Sequence, residues 1–526
     1  MRPRPLPGRA AGLVVPLFSL HSARSWGIGD IGDLPLGARW LERAGFRALQ
    51  LLPVSTLPLG QTSPYSALSA MAIDPIYISL ADVADFGAPG GESQLPLADQ
   101  AALRRARSSP RVRYDDVRQA KASALRLAFS QFYEVEWRRT TARAGAFAAY
   151  VSWEEWWLAD YALYSALRER FGRQSWVDWP EPLRSRDAAA LEEARRELEG
   201  EILFHQYVQW LADEQWQAAR EAMGDVRVFG DFPFMVAMDS ADVWARQHLF
   251  RFDATVGTAP DAFSETGQDW GLPVYRWDVM AGEDYRWLRQ RARRMARLYD
   301  GYRVDHLVGF FRTYSRKAGE QTGAFDPSDE ASQIVLGESL LRVFQEDGAQ
   351  ITAEDLGSIP DFVRASLLQM GVPGYKVLRW ERAWDQEGKP FLDPATFPPT
   401  SVVTTSVHDI EPIALWWEVA EQEERHRFAV LLNPSDTADR AVAAAPFTPT
   451  LRDEILALTY HAGSELLLLP VQDAFGWPDR INTPATVGDE NWTWRMPIGV
   501  DAMQTDAAAI ECAGRLRRLA EESERL

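Results

Sequence analysis

The sequence predicts an α/β fold, a (β/α)8 TIM barrel with large insertions. By length, the 526 residues could form two or more average domains or one enlarged barrel. The barrel is favoured because eight short β-like runs alternate with helical patterns or insertions. Five of these runs have an acidic residue at or just after their C-terminal edge: Asp231, Asp305, Glu354, Asp409 and, in the pair Gln472–Asp473, Asp473. A barrel brings those edges to one face. With 46% hydrophobic and 25% charged residues, the chain can bury a core of this size.

The predicted strands are apolar or β-branched and four to eight residues long. In chain order they are Leu13–Phe18, Phe46–Leu52, Val226–Pro233, Tyr302–Asp305, Gln350–Glu354, Lys376–Trp380, Val402–Ser406 and Glu465–Pro470. Residues 81–224, approximately, are amphipathic, which predicts a mostly helical inserted subdomain. Residues 232–290, approximately, are predicted to form a loop-rich lid. Ala507–Leu526 is predicted to be a final helix with no β-sandwich module after it, so 1–526 forms a single catalytic barrel.

Composition narrows the classes of partner. The formal net charge of -19 argues against nucleic acid and anionic membranes and favours an uncharged substrate. A single cysteine, Cys512, excludes an intrachain disulfide and a thiolate metal cluster, which favours a reducing, cytoplasmic location. The basic start followed by AGLVVPLFSL is similar to a secretory signal, but its apolar run is short and contains Pro16. We therefore expect an ordered first strand there.

The segment Gly301–Tyr314, GYRVDHLVGFFRTY, concentrates the chemistry. Side chains alternate along a strand, so Arg303 and Asp305 project to the same side. A guanidinium beside a carboxylate keeps the carboxylate ionised, which suits a nucleophile in sugar chemistry. The alternative is a structural Arg–Asp pair at a strand end.

Two further strand ends carry candidate groups. In QITAEDLG, Glu354 beside apolar walls could have a raised pKa and act as general acid and base, or it could be a capping carboxylate. In VVTTSVHD, His408 and Asp409 could bind sugar hydroxyls or a metal, although a lone histidine is more often a packed residue.

Aromatic residues near the predicted barrel face could stack on sugars. The chain has 21 Trp, 24 Phe and 15 Tyr residues, which could equally serve a large core. The irregular stretch TAPDAFSETGQDWGLPVY places Phe263, Gln268 and Trp270 in a candidate lid. Pro64 fixes Tyr65 just after the second strand, where packing is an equally good explanation.

Together these stretches resemble the amylomaltase family, the 4-α-glucanotransferases of the α-amylase-like barrel enzymes. The resemblance runs from about Leu13 to Leu526 and is carried by the order and spacing of many motifs. They are SL…WGIGDIGD, LLPVSTLP, SPY, DYALYSAL, GDFPFMVAMDSADVW, PDAFSETGQDWG, YRVDH, AEDLG, PGYKVL, HD, PVQD and NWTWRM. The resemblance implies disproportionation of α-1,4-glucans, with glucose or a maltooligosaccharide as acceptor and no cofactor or metal.

The resemblance also implies roles for individual residues. Asp305 would be the nucleophile, Glu354 the acid/base, and Asp409 would hold substrate hydroxyls and strain the sugar. Arg303 and His408 would support these carboxylates. The glucan-binding positions would be Tyr65, Asp261, Phe263, Gln268 and Trp270. Of these, Phe263 and Trp270 would lie in the mobile acceptor loop of the family.

The chain departs from the family pattern near this face. The family usually has Gly-Thr before His-Asp and Asn-Asp after it, whereas this chain has Ser406–Val407 before and Ile410–Glu411, then Pro412, after. Three single positions also differ: Ala262 replaces Tyr, Ala485 replaces Gly, and Tyr375 replaces Met. We expect an altered acceptor site from these departures.

Three other functions stay open on the sequence. A retaining α-glucan hydrolase would use the same carboxylates. A metal-dependent sugar isomerase would need more acids at ligand spacing around His306 and His408. A non-catalytic glucan-binding protein is disfavoured by the intact carboxylates.

Overall fold

A computed structural model of the chain describes residues 2–260, 267–320, 322–432, 442–484, 486 and 488–526. Eight parallel strands close into a barrel, in the order β1-β12-β11-β10-β9-β6-β3-β2. These strands are β1 (Ala10–Val14), β2 (Ala48–Gln50), β3 (Arg227–Pro233), β6 (Gly301–Asp305), β9 (Gln350–Ala353), β10 (Gly374–Val377), β11 (Ser401–Thr404) and β12 (Leu466–Pro470). The TIM barrel prediction is confirmed.

The predicted first strand, Leu13–Phe18, is displaced along the chain. The observed strand β1 begins at Ala10, and Leu17–Ser19 forms a short 3-10 helix instead. Pro16 cannot donate a ladder hydrogen bond, which ends the strand. Small residues start β1 because the barrel interior is tight there: a Cβ at Gly12 would lie 2.8 Å from the Leu468 side chain. Apolar pattern alone does not reveal such small strand residues.

Helices cover the outside of the barrel and fill the long insertion between β2 and β3. The insertion contains Ala84–Gly87, Leu97–Ser108, Tyr114–Phe132, Ala142–Trp153, Glu155–Arg170, Glu181–Arg184, Ala188–Glu197 and Glu199–Ala222. The other described helices are Asp33–Arg43, Ala241–Ala245, Trp277–Gly282, Arg286–Leu298, Val308–Phe311, Glu330–Gln345, Asp361–Gln369, Ile413–Val419, Gln422–Leu432, Pro449–Tyr460, Val471–Phe475 and Ala507–Glu522. In the part of the chain that is described, no helix is long and apolar enough to cross a membrane.

A buried lysine joins the inserted helices to the loop that follows β2. Lys121 lies in the helix Tyr114–Phe132, and its Nζ donates to the carbonyls of Ile76 and Ile78 at 2.6 and 2.8 Å. The Asp30 carboxylate lies 3.9 Å from the same Nζ. Buried charges are stable only when paired and hydrogen-bonded, so these contacts fix the loop against the insertion. The same loop carries Tyr65 to the barrel face.

The segment predicted as a loop-rich lid contributes two strands to a second, antiparallel sheet of four strands. The strands of this sheet are β4 (Phe250–Thr258), β5 (Gln268–Tyr275), β7 (Thr313–Lys317) and β8 (Ala324–Asp326), in the order β5-β4-β7-β8. The described lid residues are therefore more regular than expected. Two of the four strands come from beyond β6, and pairing between distant segments is not visible in local sequence. Asp261, Ala262, Phe263 and Ala485 lie outside the described residues.

Candidate active site

The centre of the site is an arginine between two carboxylates at the C-terminal ends of β3 and β6. Arg303 Nη1 lies 2.7 Å from Asp231 Oδ2, and its Nη2 lies 2.8 Å from Asp305 Oδ1. Arg303 and Asp231 are buried, whereas the Asp305 side chain is 27% exposed. The predicted contact between Arg303 and Asp305 is therefore present. Of the two paired carboxylates, Asp305 is the one that a substrate can reach.

Glu354 follows β9 directly and lies against the end of β6. Its Oε2 accepts from the backbone N–H of His306 at 2.8 Å, and its Oε1 accepts from that of Leu356 at 3.1 Å. Burial raises the pKa of Glu354 to about 7; the Arg303 charge opposes this shift and the Asp305 charge adds to it. A carboxyl that keeps its proton near neutral pH can donate it to a leaving group.

Asp409 lies in the loop after β11 and is held from both sides. Its Oδ2 is 3.3 Å from His408 Nε2, and its Oδ1 accepts from Asn482 Nδ2 at 2.6 Å. Arg480 Nη2 donates to the Asp409 carbonyl at 3.0 Å. Burial alone would raise the pKa of Asp409, but the charge and hydrogen bond of His408 and the hydrogen bond of Asn482 outweigh it, so the pKa lies below its usual range. The side chain is 42% exposed and is an anion that substrate can reach.

An aromatic group connects this loop to Asp231. Tyr65 Oη donates to Asp231 Oδ2 at 2.8 Å and lies 3.1 Å from His408 Nε2. The Tyr65 and His408 rings are stacked, with centroids 5.6 Å apart and planes 19° apart. Trp492 packs against both rings at 5.9 and 5.6 Å. Tyr65 therefore lies beside Asp231 and His408 and also packs against the main hydrophobic core.

The lid strand β5 contributes one aromatic ring to the same region. Trp270 makes an edge contact with His306, the residue after Asp305, at a centroid distance of 4.9 Å. Phe234 packs against His306 from the end of β3 at 5.3 Å. Burial lowers the pKa of His306 to about 4, so this ring is neutral and serves as a wall. Gln268 is exposed, and its Oε1 accepts from Trp270 Nε1 at 3.2 Å.

Two of the described departures from the family pattern, Tyr375 and Ser406, are buried. Tyr375 is buried inside the barrel, and its Oη donates to Gln50 Oε1 at 3.1 Å. Ser406 Oγ donates to Asp473 Oδ2 at 2.6 Å, and the Ile413 N–H donates to Asp473 Oδ1 at 2.7 Å. The predicted strand-end acid Asp473 is thus an anchor for the Asp409 loop rather than a group that faces substrate.

Two site residues, Asn482 and Trp492, lie on the chain after β12 and were not predicted. Asp231 was predicted as a strand-end acid on the barrel face, but without a role in the reaction. Asp231 had a usable signal because it ends a buried strand. Trp492 belongs to the NWTWRM motif of the family resemblance, but neither that motif nor the local sequence of Asn482 indicates a partner. Their contacts are with Asp409, Tyr65 and His408, which are far away in sequence.

The family model for 4-alpha-glucanotransferase matches residues 15–501. The chain belongs to the 4-alpha-glucanotransferase family. The enzyme of Thermus thermophilus bearing that name is 34% identical over 532 residues, which cover 98% of this chain and 99% of that one. The 4-alpha-glucanotransferase of Chlamydia caviae is 30% identical over 515 residues, covering 94% and 92%.

Solved structures of the glucanotransferase family have the same fold. An amylomaltase from Streptococcus agalactiae, solved in complex with acarbose, superposes with a TM-score of 0.82 at 25% identity and covers 98% of this chain and 99% of that one. The amylomaltase of Corynebacterium glutamicum gives a TM-score of 0.80 at 24% identity, covering 97% and 75%. This chain is therefore a barrel enzyme of the 4-alpha-glucanotransferase type.

One cluster with metal-ligand spacing occurs among the described residues. It consists of Glu169, Glu201 and His205 on the inserted helices, away from the barrel strand ends. Arg126 Nη2 already pairs with Glu169 at 2.8 Å and with Glu201 at 2.6 Å. The isomerase alternative, which needs ligands at the strand ends, gains no support from this cluster.

Proposed function

We propose that the protein transfers a segment of an α-1,4-glucan to the 4-hydroxyl of another glucan or of glucose, with retention of configuration. The observation that carries this proposal is the pair of carboxyl groups at the ends of β6 and β9. Asp305 faces a guanidinium and is accessible, whereas Glu354 is buried with a pKa raised to about 7. Two carboxyl groups in such different environments suit a nucleophile and an acid/base.

In the first step, a carboxylate oxygen of Asp305 attacks the anomeric carbon. The bond from that carbon to the glycosidic oxygen breaks, and Glu354 gives its proton to the departing 4-oxygen. The products are a glucosyl ester on Asp305 and a shortened glucan. Arg303 supports this step because it holds the attacking carboxylate in a fixed orientation.

In the second step, the Glu354 carboxylate takes the proton from the 4-hydroxyl of an acceptor sugar. The acceptor oxygen bonds to the anomeric carbon while the ester bond to Asp305 breaks. This step restores the Asp305 carboxylate and the Glu354 acid, so two inversions give net retention. No redox partner or cofactor is required.

Asp409 and its neighbours bind the sugar that reacts. We infer that the Asp409 carboxylate accepts hydrogen bonds from sugar hydroxyls, with His408 and Asn482 fixing its direction. Charge-assisted hydrogen bonds are strong, so they can support a distorted ring near the transition state. Tyr65 offers a ring face at the same place.

Transfer requires that the acceptor sugar compete with water at about 55 M. Trp270 supports the lid prediction because it places an aromatic ring beside His306 on a strand of the second sheet. Such a wall can exclude water and add binding energy for an acceptor. Gln268, Asp261 and Phe263 remain predicted glucan-binding residues, and a changed acceptor preference at Ala262 remains a hypothesis.

The test is to incubate the protein with maltotriose, with no cofactor and with a chelator, and to separate the products by chromatography. We expect glucose together with a ladder of longer maltooligosaccharides. Glucose and maltose alone would identify a hydrolase. An unchanged substrate would contradict both readings and favour a glucan-binding protein.

A further inference from the structure

Glu411 connects three separate segments behind Asp409. Its Oε1 lies 2.5 Å from Arg480 Nη1, on the chain after β12. Arg379 follows β10, and its Nη2 lies 3.2 Å from Glu411 Oε2. The same nitrogen donates to the Glu411 carbonyl at 2.9 Å. Glu411 itself belongs to the loop after β11. It is also one of the residues where this chain departs from the family pattern.

The contacts of Glu411 extend through Arg480 to Asp409, the proposed sugar-binding carboxylate. Arg480 Nη2 donates to the Asp409 carbonyl at 3.0 Å, and its Nε donates to the Asn482 carbonyl at 3.1 Å. Asn482 in turn holds Asp409 Oδ1 at 2.6 Å. One guanidinium therefore holds the backbone of Asp409 and the backbone of Asn482, whose side chain orients the Asp409 carboxylate, and Glu411 holds that guanidinium.

We propose that Glu411 is a positioning residue that sets the direction of the Asp409 carboxylate by anchoring Arg480. This inference rests on the proposed role of Asp409 in binding the reacting sugar. Glu411 is a single anion between two arginines, so its charge also keeps Arg379 and Arg480 together against their mutual repulsion. Without it, the Arg480 guanidinium is free to turn toward the nearby Asp409 carboxylate and compete with the sugar hydroxyls.

The first test compares Glu411→Gln with the wild type on maltotriose. Because the direction of Asp409 matters most for a distorted sugar, we expect kcat to fall about 10-fold while KM changes less than about 2-fold. Glu411→Asp keeps the charge on a shorter side chain and should recover part of the loss. A 10-fold rise of KM with an unchanged kcat would overturn the proposal.

The matched control is Glu381→Gln. Glu381 also follows β10, and its Oε2 lies 3.1 Å from Lys376 Nζ, a contact that does not reach Asp409. Glu381 is half-buried and its ion pair is separate from Asp409, so the control should leave kcat and KM within about 2-fold of the wild type. A loss equal to that of Glu411→Gln would mean that any broken ion pair in this region has the same effect, and the proposal would be wrong.

The decisive test is a double-mutant cycle with Asp409→Asn. If Glu411 acts through the Asp409 carboxylate, Glu411→Gln should cost about 10-fold in the wild-type background and less than about 2-fold beside Asp409→Asn. Losses that simply multiply would contradict the proposal. Thermal unfolding should show that Glu411→Gln and Asp409→Asn are both folded. If Glu411→Gln does not fold, the same cycle is performed with Glu411→Asp.

Binding separates this proposal from the proposed function. Acarbose, the ligand in the Streptococcus agalactiae structure, is titrated by calorimetry into the wild type and the variants. If the wild type binds acarbose but transfers no glucan, the proposed function fails. The double bond in one ring of acarbose flattens that ring, so acarbose resembles a distorted sugar more than it resembles maltotriose. The positioning role then still predicts that Glu411→Gln binds acarbose about 10-fold more weakly, and only when Asp409 is present. Equal binding by the wild type and Glu411→Gln would overturn the positioning role alone.

Discussion

Arg303 lies between Asp231 and Asp305, and the two carboxylates differ in their exposure to solvent. Asp231 is buried and also accepts from Tyr65, so it is fully occupied by protein groups on its Oδ2. Burial raises the pKa of Asp231 despite the Arg303 charge. Asp305 shares the other side of the guanidinium and keeps contact with solvent. In the proposed mechanism, the pairing orients Asp305 for attack, while Asp231 anchors the arginine.

The nucleophile assignment predicts a large loss for Asp305→Asn. An amide cannot form the ester intermediate, so we expect transfer from maltotriose to fall by about 10⁴-fold or more. Acarbose binding, measured by calorimetry, should persist because the rest of the site is unchanged. Asp253→Asn, on the exposed part of β4, is the control and should retain full activity. Near-normal turnover by Asp305→Asn would remove Asp305 from this role.

Glu354 gives the reaction a pH dependence whose sign follows from its raised pKa. The carboxyl keeps its proton up to a pH of about 7. The first step needs that proton, so single-turnover glycosylation by maltotriose should decline as the pH rises through about 7. A glycosyl fluoride has a good leaving group and needs little protonation, so its glycosylation rate should lack this decline. Glu354→Gln should likewise keep partial first-step activity on the fluoride only; equal loss on both substrates would contradict the acid assignment.

The same raised pKa affects stability. Between its ordinary value of 4.5 and about 7, folded Glu354 binds a proton that the unfolded chain releases. The free energy of unfolding should therefore decrease across this range as the pH rises. Thermal unfolding of Glu354→Gln should show a weaker decrease, which makes a second readout that does not require turnover.

At the level of elements, β6 and the short helix after it shape the aromatic wall beside Asp305, the proposed nucleophile. The helix Val308–Phe311 begins three residues after Asp305 and packs Gly309 against Phe234. A Cβ at Gly309 would lie 2.3 Å from the Phe234 ring. Phe234 in turn contacts His306 and Trp270. The glycine thus allows the aromatic wall to approach the end of β6.

Gly309→Ala should disturb this wall. Overpacking typically costs about 1–3 kcal/mol, so we expect a lower midpoint of thermal unfolding. The displaced Phe234 ring should also lower transfer more than it lowers hydrolysis, which product chromatography measures. Gly145→Ala is the control: it lies in the helix Ala142–Trp153 with open space at its Cβ. That variant should gain about 0.5–1 kcal/mol; similar behaviour of the two variants would contradict the packing argument.

At the level of the whole molecule, Arg525 closes the barrel at its N-terminal face. The buried guanidinium donates to the carbonyls of Tyr460, Ala462, Ser464 and Glu465, at distances of 2.8, 3.0, 2.7 and 2.9 Å. These carbonyls lead into β12, which pairs with β1 to complete the closed sheet. The penultimate residue of the chain thus holds the place where the first and last barrel strands meet.

Arg525→Ala should destabilise the protein strongly. The carbonyls of Glu465 and Ala462 keep the Ala10 N–H and Arg9 as donors, but those of Tyr460 and Ser464 lose the Arg525 donor. Each buried group that loses its partner costs about 1–3 kcal/mol, and the buried side chain also leaves a cavity. We expect the free energy of unfolding to fall by about 3 kcal/mol or more in urea denaturation, with kcat unchanged at low temperature. Arg518→Ala, exposed on the terminal helix Ala507–Glu522 that precedes Arg525, should change stability by less than about 0.5 kcal/mol. Equal effects of the two variants would show that Arg525 does not close the barrel.

The sequence by itself determined the barrel, the position of most of its strands and the contact between Arg303 and Asp305. These depend on local rules: apolar runs of strand length, and side chains that alternate along a strand. The acids at strand ends were visible for the same reason, since a barrel places all such ends on one face. The family resemblance added roles for these acids.

Only the tertiary structure decided which distant groups complete the site. Asn482 and Asp409 are 73 positions apart, and Tyr65 and Asp231 are 166 apart. In the structure, Asp473 anchors the loop that carries Asp409, and the first strand begins at Ala10. Two strands of the antiparallel sheet come from the segment predicted to be loop-rich. Such contacts depend on how separate segments pack against one another, and the local sequence of each segment carries no record of its partner.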